Sequence, residues 1–319
     1  MKKVKEFFGS RTKFYFSVIK DSIASLIENN SMTHASSIAF YTIFSLPAVL
    51  IITIVIGATF YEQTTVQQEL MGQIAALIGR DNAEQVEKIL DNASIDASGI
   101  AARTIGIATL IFSATTVFAS LQTGLNNVWK IKAKPERGFV KFLVNRVLSM
   151  AMVVSIGFIL LVSLLIDTVL VLFQQHMSSF FDNFTVDILT VANTLLSIAF
   201  ITALFALIFK VLPDAEVKWK DVWIGSLITT GLFIIGKFLI GFYIGTSSIT
   251  STYGAAGSLV VVLIWVYYST VILLLGAQIT FVYADKTGER IKPYKNAVRI
   301  KTVEVEPKKK VDEEKDEAA

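Results

Sequence analysis

The 319-residue chain has no cysteine, two histidines and five prolines. Without thiols there is no disulfide, no thiolate zinc or iron–sulfur centre and no cysteine nucleophile. His34 and His176 stand 142 positions apart, which leaves no histidine cluster for a catalytic metal. Charge is scarce too: 17% of residues are Asp, Glu, Lys or Arg, against roughly a quarter in soluble domains. Of these, 27 stand in the first 30 and last 34 residues, leaving only 28 for the 255 residues between. Hydrophobic residues make up 53% of the chain, and its mean hydropathy is +0.61. This composition excludes a soluble globular enzyme.

What fills the middle is a series of long apolar runs. Residues 35–59 are 25 positions without an acidic or basic side chain. At about 1.5 Å per residue, that run crosses a hydrocarbon core of about 30 Å as a helix. Five more follow at about 104–125, 147–173, 186–209, 222–245 and 258–284. A bilayer core offers no water to backbone N–H and C=O groups, so such runs close their hydrogen bonds internally. The expected fold is an all-α integral membrane protein with six transmembrane helices, occupying residues 31–285.

Lys and Arg in the connections set the orientation. Six precede the first span, six follow the second (Lys130 to Arg146), three follow the fourth (Lys210, Lys218, Lys220) and ten lie in the tail. The alternate connections hold Arg80 and Lys88, then none in 174–185 and none in 246–257. Both termini are therefore expected in the cytoplasm. The first apolar run lacks a small-x-small exit and begins only at residue 35, so it reads as a retained span rather than a cleaved signal.

Three segments lie outside the spans. Within residues 1–30, Phe7, Phe8, Phe14, Tyr15, Val18, Ile19, Ile23, Leu26 and Ile27 recur at helical spacing among Lys13, Lys20 and Asp21. They predict an amphipathic cytoplasmic helix, either lying in the membrane interface or packed on the inner face of the bundle. Residues 60–103 predict a small extracytoplasmic cap of two helices, one carrying Val66, Leu70, Ile74, Leu77 and Ile78 and the other Val86, Ile89 and Leu90. Asp81 or Asn82 would cap the second. The charged tail 286–319 loses all periodicity and is expected to be disordered.

A few residues inside the spans need a reason to be there. Ala102, Gly106, Thr109, Ser113, Thr116, Ser120 and Thr123 recur every three or four positions, so the second span carries one small, hydroxyl-bearing face. That face is either a close packing seam or the wall of a polar groove, with Asn126 and Asn127 at its inner end. Lys237 and Asp167 lie in the fifth and third spans at similar depth, and ionisable residues at such depth call for a partner. They form a candidate intramembrane polar site. Pro47 removes a backbone donor within the first span and predicts a kink, with Ser36, Ser37, Thr42 and Ser45 placed either to satisfy the Ile43 carbonyl or to contact a solute. No nucleophile elbow, phosphate-binding glycine loop or paired carboxylates appear, so no catalytic, cofactor-binding or metal residue is assigned and no enzymatic activity is expected. The basic loops lack the interleaved aromatic platforms of a nucleic-acid surface.

Four stretches resemble the YihY/BrkB family of bacterial inner-membrane proteins. They are Ala-Phe-Tyr-Thr-Ile-Phe-Ser-Leu-Pro at 39–47, Leu-Gln-Thr-Gly-Leu-Asn-Asn-Val-Trp at 121–129, Leu-Pro-Asp-Ala-Glu-Val-Lys-Trp-Lys-Asp-Val-Trp-Ile-Gly at 212–225, and Tyr-Gly-Ala-Ala-Gly-Ser through Leu-Leu-Leu-Gly-Ala-Gln within 253–278. Each falls at a boundary of an expected span. The resemblance implies a multi-pass protein of the bacterial cytoplasmic membrane. It also brings a former ribonuclease BN label, which the residues do not support, and associations with serum resistance and envelope lipid movement. Relatives usually carry Glu where Gln278 stands, which removes that position from any proton-coupled scheme here. The resulting expectation is a translocation component for a lipid or lipophilic solute, with membrane lipids as its partners. The alternative is a non-transporting scaffold for other envelope proteins. Self-association stays open, and no nucleic-acid partner is expected.

Overall fold

Helices make up nearly all of the computed structural model, which describes residues 2–78, 80–92, 100–134, 183–247, 253, 256–288, 290–294 and 297–301. In chain order they are α1 (Lys2–Glu28), α2 (Ser31–Gly57), α3 (Gln63–Ile78), α4 (Arg80–Asn92), α5 (Ile100–Val128), α6 (Asn183–Val211), α7 (Trp219–Thr246) and α8 (Gly257–Lys286). Strand β1 (Ile131–Ala133) follows α5, β2 (Ala215–Glu216) follows α6, and β3 (Lys292–Pro293) and β4 (Ala297–Arg299) follow α8. Among the described residues, four segments are long and apolar enough to cross a membrane: Ser31–Gly57, Thr194–Val211, Trp219–Ile244 and Leu259–Lys286. These coincide with the first, fourth, fifth and sixth expected spans. Helix α5 covers the second, and the third, 147–173, lies outside the described residues.

The start of α2, the ends of α5, α6 and α8, and the start of α7 gather at one pole, bound by the contacts of Asn126 with Asp214, Asn127 with Asn29, and Asn29 with Gln278. Between α7 and α8 the approach is very close. A Cβ on Gly225 would stand 1.8 Å from Thr280 Oγ1, and one on Gly276 would stand 1.8 Å from Thr229 Oγ1. Only glycine permits that separation, and the reciprocal Gly/Thr pairs make the seam. Thr202 of α6 and Thr230 of α7 share a hydroxyl hydrogen bond of 3.0 Å. Facing outward are Leu195, Leu227, Ile235, Phe238, Leu239 and Phe242, an exposed apolar girdle that water would not tolerate at this scale.

Helix α1 packs one face on the bundle. Val18, Ser22 and Leu26 are buried against the bundle, Phe14 meets Tyr283 edge-on, and Lys286 pairs with Asp21. Its other face leaves Phe16, Ile19, Ile23 and Ile27 exposed. The chain turns from α1 into α2 through Asn30, at φ 50°, a left-handed conformation that asparagine tolerates better than most residues. Helix α2 continues unbroken through Pro47. None of the four hydroxyls expected to reach Ile43 does so: Ser36, Ser37, Thr42 and Ser45 donate to the carbonyls of Met32, Thr33, Ile38 and Thr42. Each satisfies its own previous turn, the shorter reach for a hydroxyl on a helix.

At the opposite pole, α3 and α4 form the expected helical pair. Val66, Leu70, Met71, Val86 and Leu90 pack with Leu50 and Ile54 of α2 and Val262 of α8. Helix α4 already begins at Arg80, so Asp81 and Asn82 sit in its first turn rather than ahead of it as caps. The tail also differs from expectation. Residues 290–301 are not wholly irregular: β3 pairs with β2 and β4 with β1, antiparallel, and Ile291 and Ala297 are buried. The two short ribbons tie the chain after α8 to the ends of α5 and α6, which gives apolar residues in a charged segment somewhere to bury. Residues 302–319 lie outside the described residues.

Candidate functional site

Five helices line an open cavity of about 300 Å³. Ile38, Thr42, Ser45, Leu46 and Val49 of α2 form one wall, beside the proline at 47. Val117, Phe118 and Leu121 of α5, Phe205 and Ile208 of α6 and Phe233 of α7 form the second. Helix α8 closes it with Trp265, Val266, Ser269, Thr270 and Leu273. The lining is aliphatic and aromatic, relieved only by the hydroxyls of Thr42, Ser45, Ser269 and Thr270. Three of these donate to their own helix; Ser269 Oγ is buried without a hydrogen-bond partner. A chamber of this kind suits a largely hydrocarbon guest with few polar atoms.

Beneath the cavity, about five residues or roughly 7.5 Å further along α5 and α8, lies a cluster of amides. Asn126 Nδ2 donates to Asp214 Oδ2 at 2.9 Å, and the Asp214 backbone N–H donates to Asn126 Oδ1 at 2.9 Å. Gln122 Nε2 reaches Asp214 Oδ1 at 3.4 Å. The Asn127 amide donates at 2.7 Å to the carbonyl of Asn29, one of the orphan carbonyls at the end of α1. The Asn29 amide in turn donates to Gln278 Oε1 at 3.2 Å. Gln278 is fully buried, and its Nε2 has no partner among the described residues. Close by, the buried indole of Trp129 donates to the Ala277 carbonyl at 3.0 Å. A positive rim surrounds this pole: Lys130, Lys132 and Lys134 after α5, Lys218 and Lys220 at the start of α7, and Lys286 at the end of α8.

The structure separates the sequence-derived candidates. Asn126 and Asn127 belong to the amide cluster, where they fasten helix ends. Ser113, Thr116 and Ser120 are half-buried on α5, and the Thr116 hydroxyl turns to its own helix at Phe112. The buried face of α5 is the adjacent one, with Thr115, Phe118, Gln122, Leu125, Asn126 and Trp129, and the cavity draws Val117, Phe118 and Leu121 from it. The surroundings of Gly106 and the side chain of Thr109 lie outside the described residues. Lys237 is half-buried on α7, while Asp167 falls in the segment that is not described, so the two are not brought together here. Asp214 and Gln122 were not singled out by the sequence, although both stand in quoted motifs. An acid placed just after the last apolar residue of a span, facing amides at the end of another, is the signal that would have found them.

Over residues 22–301 the chain matches the family described as Virulence factor BrkB. A UPF0761 membrane protein of Verminephrobacter eiseniae is 25% identical over 257 residues, covering 77% of this chain and 57% of that protein. Its counterpart in Ralstonia nicotianae is 25% identical over 248 residues, covering 77% of this chain and 54% of the relative. One from Glaesserella parasuis is 27% identical over 240 residues, covering 73% and 80%. The matched stretch thus spans little more than half the length of the first two. No solved structure matches.

Proposed function

Because the chain belongs to the virulence factor BrkB family, we propose that it is a six-helix protein of the bacterial cytoplasmic membrane that lets a lipid or lipophilic solute pass through the bundle cavity. The observation that carries this reading is the cavity itself: about 300 Å³ between five helices, apolar, with four hydroxyls and, among the described residues, no acidic, basic or histidine side chain in its lining. Such a chamber holds a hydrophobic guest and offers no group for general acid–base chemistry, which supports passage rather than bond-making.

The amide pole faces the cytoplasm in this reading, since the lysine-rich connections gather there. Both termini follow it, and α3 and α4 form the cap outside. The chain has no native cysteine, so single cysteines test the topology directly. Thr64→Cys on α3 should react with an impermeant maleimide from outside, and Lys132→Cys only after the membrane is opened.

Function is tested by reconstituting the chain in liposomes with a labelled phospholipid and following its passage between leaflets. Passage above protein-free vesicles supports translocation. Its absence, with envelope proteins retained on pull-down, would support the scaffold instead.

A further inference from the structure

At the pole opposite the amide cluster, the last turns of α2 and the facing sides of α3 and α4 enclose a second cleft, of about 490 Å³. Its lining divides in two. Ile51, Ile54 and Val55 of α2, with Leu90 of α4, make an aliphatic wall; Gln63 and Gln67 of α3 and Asp91 of α4 make a polar one. Val55 is 60% exposed, so the aliphatic side opens outward from the bundle.

The division matches the layering of a bilayer. Helix α2 has 27 residues, about 40 Å long, which is the thickness of a bilayer with its head-group regions. Ile51 to Val55 lie within the final two turns, where acyl chains meet the glycerol esters. Gln63, Gln67 and Asp91 come from elements beyond the helix end, at head-group level. Asp91 makes no ion pair among the described residues, and α4's basic residues Arg80 and Lys88 are outside the lining.

We propose that this cleft binds a phospholipid whose head group ends in a primary ammonium, of the phosphatidylethanolamine type. Among the described residues the lining holds one carboxylate and no cation, which favours a cationic head and disfavours a net-anionic lipid. The carboxamide oxygens of Gln63 and Gln67 accept further N–H bonds, and their NH₂ groups donate to the phosphate. A quaternary ammonium has no N–H to give and is recognised by aromatic faces, none of which lines the cleft. The acyl chains run down the aliphatic wall into the bilayer. The proposal rests on the membrane placement given above but not on lipid passage through the bundle.

The full chain is placed in phosphatidylcholine nanodiscs containing equal small fractions of phosphatidylethanolamine and phosphatidylglycerol, and retained lipids are read by native mass spectrometry. Phosphatidylethanolamine should be retained over both others by about threefold to fivefold, the strength of a partly exposed charge pair. Asp91→Asn should remove that preference, and Gln67→Leu should reduce it. Asp91 is exposed on α4, so its carboxamide variant leaves the packing untouched. Equal retention by the wild type, a preference for phosphatidylglycerol, or a preference unchanged in Asp91→Asn would overturn the proposal. Interleaflet passage is measured separately in vesicles of the same lipids. Passage without the preference refutes the cleft alone; the preference without passage refutes the transport reading alone.

Discussion

Asn126 and Asp214 clasp each other through two hydrogen bonds of 2.9 Å, one received by the carboxylate and one given by the Asp214 backbone N–H. The pair joins the end of α5 to the turn between α6 and β2, and the turn is itself held to the tail, where the Tyr294 N–H donates to the Asp214 carbonyl at 3.0 Å. One residue, Asp214, thus joins three chain segments at one pole through its carboxylate and its backbone.

Asn126→Ala removes both bonds of the clasp, and Asp214→Ala removes the one its carboxylate accepts. Asn126→Ala and Asp214→Ala should each lower stability by about 1–3 kcal/mol. The double variant should lose less than the sum, with a coupling of about 1 kcal/mol or more in a thermal-denaturation cycle in detergent. Additive losses would show that the two bonds do not act together.

The seam between α7 and α8 predicts a size dependence. Gly225→Ala should destabilise by about 1–3 kcal/mol, because the new methyl group meets Thr280 Oγ1 at 1.8 Å. Thr280→Ala in the same chain should recover part of the loss. A Gly225→Ala variant as stable as the wild type, measured by the melting of the monodisperse peak, would mean the helices lie further apart.

Gln278 is the exception in the amide cluster, because its Nε2 is buried with nothing to donate to. Gln278→Met replaces an orphan donor and a 3.2 Å contact from Asn29 with a side chain of similar shape. The expected change in stability is within about 1 kcal/mol, whereas Asn29→Ala, which strips no orphan, should cost more. A large loss from Gln278→Met would reveal a partner for that amide.

Most of the architecture was legible in the sequence because membrane helices are written in long, uncharged runs. Helix α2 exceeds its expected span by a few residues at the start, and α6, α7 and α8 by three or fewer at each end. The apolar positions of α3 and α4 were also readable, since Val66, Leu70, Val86 and Leu90 recur at helical spacing and are the residues that become buried. What the sequence hid was facing. Small side chains mark α5 at 113, 116 and 120, yet the tightest approach uses Gly225 and Gly276, whose partners Thr280 and Thr229 lie 55 and 47 residues away along the chain. No periodicity within one helix reports which neighbour it meets. The ribbons in the tail escaped for a similar reason: each strand has two or three residues, too few for alternation to show.

The proposed pairing of Asp167 with Lys237 gives its own prediction. Lys237 is half-buried on α7, and an ammonium at that depth is stabilised by a carboxylate. Asp167→Asn and Lys237→Met should each impair passage, and the double variant should be no worse than the poorer single one. Losses that simply add would count against the pair.

The claim that the bundle cavity is the route is tested most directly by filling it. Ser269→Phe projects a ring into the 300 Å³ space and gives up no hydrogen bond, because Ser269 Oγ has no partner. Leu239→Phe adds similar bulk on the exposed, outward face of α7. In liposomes carrying a labelled phospholipid, Ser269→Phe should fall to the rate of protein-free vesicles while Leu239→Phe keeps the wild-type rate. Equal passage by a folded Ser269→Phe protein and the wild type would contradict the cavity as the path.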